Sequence, residues 1–138
     1  MVMKQQLKKK AGKKGFTLIE VIVVLVILAI LAAIAVPALT GYIDRANNRA
    51  AISEARNVYV ALQAIATDLY GQGKKPADPE WPTGTANDAL LGEIAKLTGK
   101  TFPAGSITNI SFDGTALKTF TVVIDGKTVA YDGSYTVN

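Results

Sequence analysis

The feature that most restricts this chain is an unbroken apolar run: residues 21–36 are all Val, Ile, Leu or Ala. The continuation PALTGYI is weakly polar, and no charge appears until Asp44. A membrane-crossing helix needs about 20 predominantly apolar residues, and 21–43 meets that length. β-Branched residues lower helix propensity in water. In hydrocarbon, however, the backbone has to satisfy its own N–H and C=O groups, which leaves helix as the single-segment solution. The run therefore predicts a transmembrane helix.

The flanks of the run give it a direction. Lys4, Lys8, Lys9, Lys10, Lys13 and Lys14 precede it with no acidic residue among them, and Tyr42 lies near the far end. Positive residues are retained on the cytoplasmic side, so the N-terminus is expected in the cytoplasm and the residues beyond about 43 across the membrane. The same lysines explain the formal net charge of +4: without residues 1–15, nine basic side chains face eleven acidic ones. The basicity belongs to a tail and not to a binding face, so no nucleic-acid partner is expected. A chain of 138 residues suffices for one domain of modest core. It has neither Cys nor His, which removes disulfides, thiolate nucleophiles, imidazole bases and the usual ligands of zinc.

Glu20 is the anomaly, a carboxylate at the mouth of the apolar run. An ordinary secretory signal peptide would explain the lysines, with small residues for cleavage at Ala33-Ile34-Ala35 or at Ala35-Val36-Pro37-Ala38. The run exceeds the usual apolar region of about 7–15 residues, and Glu20 interrupts the transition from lysine to hydrocarbon. An uncleaved signal anchor fits the length but leaves the acid without a reason.

The stretch GFTLIEVIVVLVILAILAAIAVP resembles the class III signal of type IV prepilins and their relatives, the pseudopilins. Its parts are a short basic leader ending in Gly15, the aromatic Phe16, the triplet Thr17-Leu18-Ile19, then Glu20, an apolar helix, and Pro37 where family members often carry proline. The likeness covers about a quarter of the chain, residues 13–45. It implies that a prepilin peptidase cuts between Gly15 and Phe16 at the cytoplasmic face and removes the leader, residues 1–15. Glycine before the cut leaves the backbone open to the peptidase. Residues 16–43 would remain as the membrane and fibre-core half of a long helix, and 44–138 would form the extracytoplasmic domain. The resemblance also implies N-methylation of Phe16, and pairing of Glu20 with the Phe16 amine of a neighbouring subunit. An unpaired acid in hydrocarbon costs about 2.5–3.5 kcal/mol on insertion scales, and an ammonium carries a complementary cost that pairing offsets. The plainer alternative puts Glu20 at headgroup level, as a charge favourable to the helix dipole. Pro37 cannot donate to the Ala33 carbonyl, so a kink or loosening is expected there.

Helical periodicity continues past the membrane. Ala51, Ala55, Val58, Leu62, Ile65 and Leu69 recur at spacings of three and four and predict one buried stripe. Gly71 and Gly73 supply a stop for a helix running from about Phe16 to Tyr70. The Pro- and Gly-rich KKPADPEWPTGT reads as an irregular connection; Trp81 within it either covers a core edge or stays exposed as a contact. Residues 87–97 before Gly99 read as a short amphipathic helix. TFTVVIDGKTVAYDG then alternates, and Asp125-Gly126 is a hairpin turn signal that sets Val122 opposite Val129 and Phe120 opposite Tyr131. Further strands are expected at 107–112 and 134–137. The predicted fold is α+β: a long N-terminal helix, its first half membrane-spanning and its second half amphipathic, packed on an antiparallel sheet of three or four strands.

No phosphate-binding glycine loop, catalytic triad or metal-ligand cluster is present, so no catalytic residue, metal or cofactor is expected. Asp113, Asp125 and Asp132 precede glycines and read as turn formers; the spacing of a calcium-binding EF-hand loop is missing. The leading reading is a structural subunit of a type IV pilus: a homopolymer assembled by membrane machinery, lipid-embedded before assembly and on the cell surface afterwards. A pseudopilin of a type II secretion or competence apparatus is the close alternative. A single-pass anchored or secreted binding domain is the alternative of a different class.

Overall fold

The computed structural model describes residues 15–138, and the lysine-rich leader lies outside the described residues. Helix α1 spans Leu18–Gly71 and α2 spans Asp88–Thr98. The strands are β1 (Ile107–Asp113), β2 (Ala116–Ile124), β3 (Lys127–Tyr131) and β4 (Tyr135–Val137). Two compact units divide between Gly41 and Tyr42, and α1 contributes to both.

In the first unit every described residue is exposed. The helix is long and apolar enough to cross a membrane, and it presents hydrocarbon on all sides, as a lipid-facing segment does. Pro37 lies inside α1 and the helix continues through it. Just beyond, the Thr40 hydroxyl donates to the Pro37 carbonyl at 2.8 Å.

In the second unit α1 becomes one-sided. Ala51, Ala55, Val58 and Leu62 are buried as the spacing predicts, joined by Ala61 and Ala66. Ile65 and Leu69 are only half-buried. Past Leu62 they face an open cleft shared with Trp81 and Leu90, so the end of the stripe is not sealed. A Schellman motif ends α1: the Lys74 N–H donates to the Leu69 carbonyl and the Gly73 N–H to the Tyr70 carbonyl, at 3.0 Å each. Gly73 takes the left-handed conformation this requires, with φ +84°. Helix α2 starts where Asn87 caps the Leu90 N–H at 2.9 Å and stops at Gly99, φ 73°.

The strands form a four-stranded antiparallel meander in the order β1-β2-β3-β4. Phe120 opposes Tyr131 and Val122 opposes Val129, the register set by Asp125-Gly126. Both turn residues have positive φ, 50° and 79°, as a type I′ hairpin demands. The β1–β2 pairing is less regular, slipping between Thr108 and Phe112 beside Asn109 at φ 54°. The register shifts twice, with an extra residue on β1 between Thr108 and Ser111 and with Lys118 as the extra residue on β2, and each shift changes the phase of the pleat on its strand. Ile107 and Ile110 on β1, and Leu117 and Phe120 on β2, therefore all point inward despite odd spacings. Simple alternation in the sequence does not show this. One core joins Val58 and Leu62 of α1, Ile94 of α2, and Ile107, Phe120, Val122 and Val129 of the sheet.

Trp81 covers an edge of that core. It is 3 % exposed and meets Phe112 edge-on, with ring centroids 5.7 Å apart. Its loop is pinned to the sheet by Gly84, which exchanges backbone hydrogen bonds with Ile110 at 2.8 and 2.9 Å. Gln63 ties helix to hairpin from the opposite direction. Its amide donates to the Thr115 carbonyl at 2.7 Å and accepts from the Leu117 N–H at 2.9 Å. Nothing in the helical pattern distinguishes Gln63 from an ordinary polar surface residue.

Candidate assembly site

The residues that the sequence singles out for processing and assembly open α1. Gly15 and Phe16 precede the helix, and Phe16 is 85 % exposed. Among the described residues, a side chain on Gly15 would meet no atom within 4 Å, so packing against them does not require glycine there.

Thr17 and Glu20 start the helix together. The Glu20 N–H donates to Thr17 Oγ1 and the Thr17 N–H donates to Glu20 Oε2, each at 3.3 Å. The Thr17 carbonyl takes the first helical bond, from the Val21 N–H at 3.2 Å. This is a capping box, in which threonine and a glutamate three residues on satisfy each other's backbone donors. The motif T-x-x-E is legible in the sequence, yet it is easily passed over when Glu20 is read only as a lone acid. The carboxylate also sits at the positive end of the helix dipole. Glu20 thus has a local function at the helix start, and its other oxygen, Oε1, has no partner among the described residues. A carboxylate offers roughly four acceptor positions, so capping and pairing with an ammonium are compatible.

Pro37 is far along the same helix and does not join this cluster. Among the described residues no group of three or more His, Cys, Asp or Glu side chains is placed to hold a metal. Asp125 lies in its hairpin turn and pairs with Lys100 at 3.7 Å. Lys100 also pairs with Glu54, and this ion pair raises the lysine above its ordinary pKa.

A family described as the prokaryotic N-terminal methylation motif matches residues 10–36. No curated protein and no solved structure matches the chain. The matched segment contains Gly15, Phe16, Thr17 and Glu20, and it ends one residue before Pro37. It is the type IV prepilin and pseudopilin signature. With the α+β fold behind it, the matched segment supports a likeness to type IV pilins and pseudopilins. The motif implies processing by prepilin peptidase and assembly into a pilus-like polymer, and the long apolar helix suits membrane anchoring.

Proposed function

We propose that this protein is the structural subunit of a type IV pilus. Prepilin peptidase cuts between Gly15 and Phe16, the new Phe16 amine is N-methylated, and residues 16–43 stay on the subunit as membrane anchor and then fibre core. The Glu20 carboxylate of one subunit pairs with the Phe16 amine of the next. Pro37 loosens the helix so that neighbouring rods pack closely. The cytoplasmic N-terminus and the translocated domain follow from the lysines before the span, and the assembled fibre is displayed at the cell surface.

One observation carries the reading. The methylation motif opens directly onto a helix whose apolar surface is bare on every side. Such a surface has to be covered, first by lipid and then by identical helices. Pairing across subunits gives the choice of neighbour its specificity, because only a correctly docked copy brings an ammonium to Glu20.

Mass spectrometry of the mature protein is the direct test: a methylated Phe16 at the N-terminus is expected. A mature chain beginning after Ala35 or Ala38 would discard the helix and refute the proposal. Electron microscopy of sheared surface fibres built from this chain separates the pilus subunit from a pseudopilin of a secretion or DNA-uptake apparatus.

A further inference from the structure

Two of the few large apolar side chains that the second unit leaves exposed are Val60, at 64 %, and Leu97, at 57 %. They line one groove between α1 and the end of α2, about 320 Å³, completed by Asn57, Ala61, Ala64 and Thr98. No charged residue lines it. The outermost face of α1 around the groove is uncharged as well: Ser53, Asn57, Val60, Ala64 and Thr67 recur every three or four residues and are all exposed. A solvated helix face ordinarily carries its charges at that position.

We propose that this groove seats a second copy of the chain, an inference that rests on the polymer reading above and extends it to the folded domain. The distribution of charge identifies the occupant. Around the start of the domain's helix stand Arg45, Arg49, Arg56, Lys100 and Lys127, against Asp44, Glu54 and Asp125. That level is fixed by the Lys100–Glu54 pair and by Lys127 and Asp125 lying beside Asn47 and Ala51. Around the end of the helix stand Asp68, Asp78, Glu80, Asp88 and Glu93, against Lys74, Lys75 and Lys96. That level is fixed by Glu80 and Asp88 sharing a cleft with Ile65 and Leu69. One end is net positive and the other net negative, and the charge-free groove lies between them. Two copies displaced along the helix direction bring opposite ends together and an uncharged wall to an uncharged groove. Such head-to-tail contacts are heterologous, and where their rotation does not close into a ring they generate filaments.

The chain contains no cysteine, so single thiols can report on the groove directly. Full-length Val60→Cys and Leu97→Cys chains, with Lys118→Cys on the exposed face of β2 as control, are labelled with a membrane-impermeant maleimide. Labelling is compared between subunits held in the membrane without assembly machinery and subunits in sheared fibres. Val60→Cys and Leu97→Cys are expected to react before assembly and to lose reactivity in the fibre, while Lys118→Cys keeps it. Equal reactivity of the groove positions in both states, with fibres present, overturns the groove contact and leaves the polymer reading standing. Protection already complete before assembly assigns the groove to a different protein and also overturns it. If the unsubstituted chain forms no fibre, both proposals fall together.

Discussion

Thr17 and Glu20 cap each other across the first turn of α1, with reciprocal side chain–backbone hydrogen bonds of 3.3 Å. The acid that stands out in the sequence thus has a partner within its own chain before any neighbour arrives. Fixing the carboxylate at the helix start limits where it can point and leaves acceptor capacity for the proposed second contact.

Replacing Thr17 by Ala removes one half of the box. The helix start is expected to lose about 0.5–2 kcal/mol, visible as faster amide hydrogen exchange at the first turn in detergent micelles. Unchanged exchange there means the box contributes nothing to the helix start.

Glu20→Ala separates anchoring from assembly. Membrane insertion is expected to persist, because removing a charge makes the span more apolar. Fibres are expected to disappear, because the Phe16 amine of each incoming subunit has no counter-ion. Normal fibres from this variant would contradict the pairing.

Gln63 and Leu117 link helix to hairpin. Gln63→Leu leaves the Leu117 N–H and the Thr115 carbonyl without their partner. An expected loss of about 1–3 kcal/mol follows from these two part-buried polar groups left without their partner, to be read from denaturant unfolding in micelles. Phe120→Ala, at a fully buried position, sets the scale for comparison at about 3–5 kcal/mol.

The turn at Asp125-Gly126 has both residues at positive φ. Gly126→Val is expected to destabilise the hairpin by about 1–3 kcal/mol through backbone strain, whereas Asp125→Asn is expected to be close to neutral because asparagine favours the same conformation. Thermal unfolding of the two variants side by side distinguishes strain from loss of the aspartate charge.

Alkaline pH is expected to destabilise the domain. Lys100 is held above the ordinary lysine value of 10.5, first by its hydrogen bond to Glu54, and Tyr131 and Tyr135 are held above the ordinary tyrosine value of 10.0, first by burial. In each case the folded state holds its proton more tightly than the unfolded state. The stabilisation is therefore complete below the unfolded values, near 10 to 10.5, and is lost as pH rises through the folded ones. A pH series of denaturant midpoints should be flat on this account up to that window and fall above it. A Lys100→Met chain should lose the lysine's share of the slope.

The amino-acid sequence alone determined the membrane-length helix, the N-terminal methylation motif around Gly15–Glu20 and the Asp125-Gly126 hairpin register. Each depends on local rules: hydrocarbon excludes unsatisfied backbone, a short motif lies within one turn, and a two-residue turn pairs the strands on either side of it. The caps of α2 at Asn87 and Gly99 were legible for the same reason. Only the tertiary structure decided the rest. Whether Trp81 was core or contact depended on Phe112, thirty-one positions later, coming to meet it. Gln63 acquired its function from a hairpin turn more than fifty residues away. The bulge at Asn109 inverted the alternation of β1, and the cleft beside Trp81 kept Ile65 and Leu69 from full burial. Pairings of this kind are set by which surfaces meet when the core closes, and a pattern of neighbours along the chain carries no record of that.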